Sequence, residues 1–156
     1  MISLKVLKKI ILIFSLIFLI LSCNNMKNPL VIGHRGAKGH YFENTLGSIE
    51  KAIELEVDGI EIDVFRCASG ELVVFHDQMV DSLTDGKGMI ESLSLDSIKK
   101  LSLLGKEKIP TLVEVLDLID GKVILNIELK GSNTAFLTHQ LLKSYFKSSL
   151  WKPEKV

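Results

Sequence analysis

The sequence lacks the features that would take it out of the ordinary folded class. Its 156 residues hold only three prolines and no low-complexity stretch, which excludes a disordered or proline-rich chain. Basic and acidic residues balance at 19 each, so no charge excess calls for nucleic acid or another polyanion as partner. There are two cysteines, Cys23 and Cys67, too few for a disulfide framework. A run long enough to span a bilayer is also missing, because the apolar stretch from Ile10 to Leu21 falls short of the roughly 20 residues a transmembrane helix needs.

That stretch has another reading. Lys5, Lys8 and Lys9 precede it and Ser22-Cys23 follows, the basic, apolar, small-residue order of a secretory signal. Ile20-Leu21-Ser22-Cys23 resembles a bacterial lipobox, in which the cysteine is lipidated and becomes the mature N-terminus. The expected organisation is a signal over 1–22, a linker over 23–29 and one domain over 30–156, with an uncleaved anchor as the alternative. It implies a membrane-anchored lipoprotein of the cell envelope, on the periplasmic or outer-surface side. Cys67 then has no partner for a disulfide and is expected to be a small, half-buried side chain.

Beyond Pro29, strand-like and helix-like segments alternate with brief turns, the pattern of a parallel α/β fold. Strands are expected at Leu30 to Gly33, Gly59 to Val64, Leu72 to Phe75 and Lys122 to Leu129. Leu46, Ile49, Ile53 and Val57 mark a first helix capped by Asn44 or Thr45, and a second is expected from near Ser94 to Gly105. The third opens on a capping box, Thr111 with Glu114, and closes at Gly121; a fourth carries Leu137, Leu141 and Tyr145 to about Leu150. Four βα units in about 130 mature residues amount to half of a (β/α)₈ TIM barrel, whose usual length is about 250 residues. The chain is expected to stop where a fifth strand begins.

Side chains alternate faces along a strand, so Glu61 and Asp63 share one face of the second strand while Ile60, Ile62 and Val64 share the other. The fourth strand repeats the device with Asn126, Glu128 and Lys130. One such pair is explained by an exposed edge; two on separate apolar strands, near the strand ends where barrel sites lie, favour a buried site. Carboxylates buried together need a counter-charge, and if the two faces converge, Glu61, Asp63 and Glu128 offer an all-oxygen site for a hard cation, Mg²⁺ or Ca²⁺. His34 and His76 each follow a short apolar strand, and two imidazoles beside a metal suit a reaction needing a base and an acid in turn. Arg35 suits phosphate through its planar fork, Lys130 suits a phosphate oxygen or the carboxylates, and Gly33 and Gly36 leave room for close backbone approach. Asp77 either orients His76 or caps the next turn. Asn44 is explained by capping and Glu43 by the helix dipole, with a place beside the metal as the alternative for Glu43. His40, His139 and the Asp85-Gly86-Lys87-Gly88 turn are expected at the surface.

In that order and spacing, His34-Arg35-Gly36, Glu43-Asn44-Thr45, Glu61-x-Asp63, His76-Asp77 and Glu128-x-Lys130 resemble the glycerophosphodiester phosphodiesterase family of TIM barrels of the phospholipase-C-like type. The resemblance runs from Leu30 to about Gly131 and includes Lys108-Ile109-Pro110-Thr111-Leu112. It implies that Glu61, Asp63 and Glu128 hold a divalent cation, that His34 and His76 are the catalytic acid-base pair, and that Arg35 and Lys130 contact the substrate phosphate. The implied reaction is hydrolysis of a glycerophosphodiester to sn-glycerol 3-phosphate and an alcohol. Phe42 stands where the family usually has proline and Ser82 where an arginine is common. An open half-barrel is not expected to be a stable monomer, so the alternatives are an inactive fragment or a half completed by a second chain or copy. Lysolipid or sphingomyelin-like phosphodiesters are alternative substrates.

Overall fold

The computed structural model describes residues 5, 6, 8, 9, 13, 29–104, 106–148 and 151–156. The expected signal run, the lipobox with Cys23, most of the linker, Gly105 and Leu150 lie outside the described residues. Among those described, no helix is long and apolar enough to cross a membrane.

The sheet is built around β2 (Gly59–Arg66), with β1 (Ile32–His34) parallel on one side and β4 (Ile124–Leu129) parallel on the other. Register sets His34 opposite Glu61, Glu61 opposite Asn126 and Asp63 opposite Glu128. Residues 59–65 of β2 are all buried, which explains why its hydrophobic content is so dense. Ile60, Ile62 and Val64 form the apolar core with α1 (Leu46–Glu54), through Ile49 and Ala52, and with α3 (Leu112–Ile119), through Leu112, Val115, Leu116 and Ile119. The opposite face of β2 is thereby left to Glu61 and Asp63.

β3 (Leu72–Val74) corrects one expectation. It pairs antiparallel with the end of β2, with Val64 opposite Val74 and Arg66 opposite Leu72, so the parallel strands are β1, β2 and β4, with β3 a hairpin arm. The connection from Cys67 to Glu71 permits nothing else, since a parallel crossover needs about a dozen residues or more. The arm continues through α2 (Leu95–Lys100) to Pro110 and has its own core of Phe65, Cys67, Val73, Phe75, Val80, Ile90, Ile98, Leu103 and Ile109. Cys67 is wholly buried there, and its thiol meets the Glu71 carboxylate at 3.2 Å.

The helix ends are set by local chemistry. Thr45, not Asn44, caps α1, and Ser94 caps α2, which is shorter than expected and turns extended at Leu101. α3 opens on the reciprocal Thr111–Glu114 box and closes on Asp120 in the left-handed conformation, with Gly121 following at positive φ. α4 (Thr134–Ser148) packs its Leu137, Leu141 and Tyr145 on the main core.

Candidate active site

The turn after β1 is held in an unusual shape. Arg35 lies at φ 54°, a region bulky side chains rarely enter, and its carbonyl accepts hydrogen bonds from Asn44 N at 3.0 Å and Ser48 Oγ at 3.1 Å. Its own N–H donates to Glu61 Oε2 at 2.9 Å. Gly36 (φ 78°) lies so close to α1 that a Cβ there would come within 2.8 Å of the Ser48 backbone, so the room left by this glycine is taken by the helix. The result sends the Arg35 side chain inward, where Nη1 meets Glu43 Oε1 at 2.7 Å and Nε lies 3.3 Å from Asp63 Oδ2.

Asp63 is the buried centre. Its Oδ2 accepts from Asn44 Nδ2 at 2.9 Å while its N–H donates to Asn44 Oδ1 at 3.3 Å, so Asn44 grips the strand at both side chain and backbone. Asp63 Oδ1 is buried without a hydrogen bond; Lys130 Nζ approaches it at 3.1 Å as an ion pair whose angles miss hydrogen-bond geometry. Lys130 Nζ also lies 3.4 Å from Glu128 Oε1, and Glu128 is exposed. Glu61, Asp63 and Glu128 bring one oxygen each to within 4.8 Å of one another, and His34 Nε2 lies 3.7 Å from Glu61 Oε2.

This donor set fits a hard divalent cation. Four carboxylates, Glu43, Glu61, Asp63 and Glu128, face the permanent cations Arg35 and Lys130 and, on the outer side of Glu43, Lys38, leaving one negative charge in excess. Burial pushes the Glu61 carboxyl above its ordinary range, and the charges of Asp63 and Glu128 add to this against the Arg35 N–H and His34. A cation bound by oxygens would relieve that repulsion and satisfy Asp63 Oδ1.

His76 reaches the site through the hairpin. Phe75 N donates to Asp63 O at 2.9 Å, which sets the next residue, His76, beside the carboxylate strand. His76 Nδ1 lies 2.6 Å from Asp77 Oδ1, so Asp77 orients the ring, and Asp77 Oδ2 accepts the Ser82 hydroxyl. That hydroxyl and His76 hold the Asp77 carboxyl below its usual range.

The structure thus gathers His34, Arg35, Glu43, Asn44, Glu61, Asp63, Glu128 and Lys130 in one network, and brings His76-Asp77 back to Asp63. Glu43 serves Arg35 and not the carboxylate cluster, and Lys38 stands 3.9 Å from its other oxygen. His40 and His139 are exposed, as expected. Sequence reasoning missed Ser48, Ser82 and Thr134, whose hydroxyls bond the Arg35 carbonyl, Asp77 and the Lys130 carbonyl. A single hydroxyl in a turn, as at Ser82, or in the first turn of a helix, as at Ser48 and Thr134, has no periodicity to betray such a task; only the motif residue nearby could have prompted the search.

Parallel strands that place acidic and basic side chains at their ends on the inner face define a segment of a TIM-type α/β barrel. Residues 34–152 match the Glycerophosphoryl diester phosphodiesterase family, and the chain belongs to it. It is 44% identical over 110 residues to a glycerophosphodiester phosphodiesterase of Caldanaerobacter subterraneus subsp. tengcongensis, covering 65% of this chain and 45% of that protein. With human glycerophosphodiester phosphodiesterase 1 it shares 32% over 126 residues, covering 74% and 38%. The chain therefore spans less than half the length of these curated relatives. Among solved structures, an Oleispira antarctica phosphodiesterase in complex with the product sn-glycerol-3-phosphate superposes with a TM-score of 0.70 at 34% identity, covering 81% of this chain and 54% of the other. The glycerophosphodiester phosphodiesterase of Thermotoga maritima gives 0.68 at 33%, covering 76% and 51%.

Proposed function

We propose that this chain carries the phosphate-processing part of a glycerophosphodiester phosphodiesterase, which hydrolyses a glycerophosphodiester to sn-glycerol 3-phosphate and an alcohol. The observation that carries the reading is the convergence of Glu61, Asp63 and Glu128 beside His34, Arg35 and Lys130. Glu61, Asp63 and Glu128 would hold the divalent cation, Mg²⁺ or Ca²⁺. When bound, that cation supplies Lewis-acid polarisation of a phosphoryl oxygen.

The chain's own groups do the remaining work. Lys130 keeps further N–H donors for a phosphate oxygen while it bridges Asp63 and Glu128. Arg35, fixed by Glu43, offers the rest of its fork to the same phosphate. One imidazole of the His34 and His76 pair takes the proton of the attacking hydroxyl, and the other gives a proton to the departing alcohol oxygen. With Nδ1 committed to Asp77, His76 works through Nε2.

Incubating the full chain with sn-glycero-3-phosphocholine, with Mg²⁺, with Ca²⁺ and with chelator, tests this. Cation-dependent release of glycerol 3-phosphate, lost in His34→Ala and His76→Ala, is the expected outcome. Release that ignores chelator or both substitutions would sink the assignment. Turnover only of lysolipid or sphingomyelin-like diesters would keep the chemistry and change the substrate.

A second reading has its own support. Among the described residues β1 and β4 each pair on one side only, so their outer edges suit pairing with further strands as a requirement for turnover. Membrane tethering through a lipidated Cys23 is proposed on the residue order from Lys5 to Cys23 alone.

A further inference from the structure

We propose that Ser82 is a positioning residue for His76, acting through Asp77 to lock the imidazole with its proton on Nδ1 and its Nε2 turned to the reaction. The inference rests on the reading of His76 given above and adds to it a residue outside the motif. Ser82 stands where the family commonly has arginine. Its hydroxyl nevertheless donates to Asp77 Oδ2, while Asp77 Oδ1 meets His76 Nδ1 at 2.6 Å. Each group in this relay has one role. A hydroxyl has a single proton to give, the carboxylate only accepts, and the ring nitrogen facing an acceptor must be the one carrying hydrogen.

Ser82 has the support such a role requires. It closes a 3₁₀ turn, Val80–Ser82, whose Val80 is buried and donates its N–H to Gly88 O at 3.0 Å. Thr84 returns both its N–H, at 3.0 Å, and its hydroxyl, at 2.8 Å, to the Val80 carbonyl. The competing acceptor for the Ser82 hydroxyl, Met79 O, lies at 3.5 Å, the limit of a hydrogen bond. Without the hydroxyl, Asp77 can rotate toward solvent, and His76 loses the fixed partner that selects its tautomer. Ser82 is exposed, so removing it leaves no buried group unpaired and should not unfold the arm.

The test is the ¹⁵N spectrum of the histidine rings in the full chain at a pH where they are neutral, for wild type, Ser82→Ala, Ser82→Thr and Asp77→Ala. The wild type should show His76 protonated on Nδ1. Ser82→Ala should lower the Nδ1–H to Nε2–H ratio by about fivefold, the worth of one hydrogen bond. Ser82→Thr should restore the ratio and Asp77→Ala abolish it. If the chain turns over glycerophosphodiesters, kcat in Ser82→Ala should fall in proportion to the Nδ1–H fraction that the spectrum shows is lost, with KM unchanged. A Ser82→Ala spectrum identical to wild type would overturn the inference whatever the activity. The predicted tautomer changes in a chain with no phosphodiesterase activity would leave the relay standing and remove the reaction assigned to it.

Discussion

Asn44 has the residue type of a helix cap and a different task. It sits at φ 56°, a conformation asparagine tolerates better than most residues, and spends its amide on Asp63 while Thr45 does the capping. Asn44→Ala would strand the Asp63 N–H in a buried site and free the carboxylate that Asn44 aims. It should destabilise the fold by about 1–3 kcal/mol, read from the urea midpoint, the cost of leaving a buried polar group unpaired. A midpoint equal to wild type would show that Asn44 does not anchor β2. Glu61, Asp63 and Glu128 were legible at this scale because alternation along two apolar strands fixes which side chains share a face. The grip of Asn44 was not, because an Asn-Thr pair before an apolar stripe reads as a cap whichever of the two supplies it.

The elements show how far pattern and connection length each reach. The capping box at Thr111 and Glu114 placed the start of α3 at the observed residue, since two reciprocal bonds leave little freedom. The buried strand Leu72–Val74 was legible as a strand, but three apolar residues read alike in either direction. Its orientation was encoded instead in the short stretch from Cys67 to Glu71. Between α3 and α4, the Tyr145 hydroxyl donates to Asp117 Oδ1 at 2.6 Å. Burial first, and then this bond, pushes the Tyr145 phenol up to about 12. The folded form thus keeps its proton at higher pH than the unfolded chain, whose tyrosine titrates near about 10. The associated stability is complete below pH of about 10 and is lost as pH rises toward about 12. Alkaline titration of phenolate absorbance should show a late step that Tyr145→Phe lacks, beside the Tyr41 phenol, which its hydrogen bond to Glu107 also raises; a late step unchanged in Tyr145→Phe would refute the contact.

For the whole molecule, the parallel α/β class and the gathering of the motif residues followed from the sequence because His34-Arg35-Gly36, Glu61-x-Asp63 and Glu128-x-Lys130 lie on β1, β2 and β4 or at their C-terminal ends, while Glu43-Asn44-Thr45 opens α1. Once β1, β2 and β4 align in register, those ends must meet. What the sequence hid is the route of the arm that brings His76 back to Asp63, since that depends on one backbone bond from Phe75 and on a separate core of residues such as Val80, Ile90 and Ile98. The excess of negative charge at the centre of this arrangement is the physical reason for a cation. Calorimetric titration of Mg²⁺ and of Ca²⁺ into the full chain, beside the Asp63→Asn/Glu128→Gln double variant, tests that claim most directly. The account predicts one saturable cation per chain, lost in the variant while its circular dichroism stays that of the wild type. Absence of saturable binding in the folded wild type, or binding that survives in the variant, would contradict it.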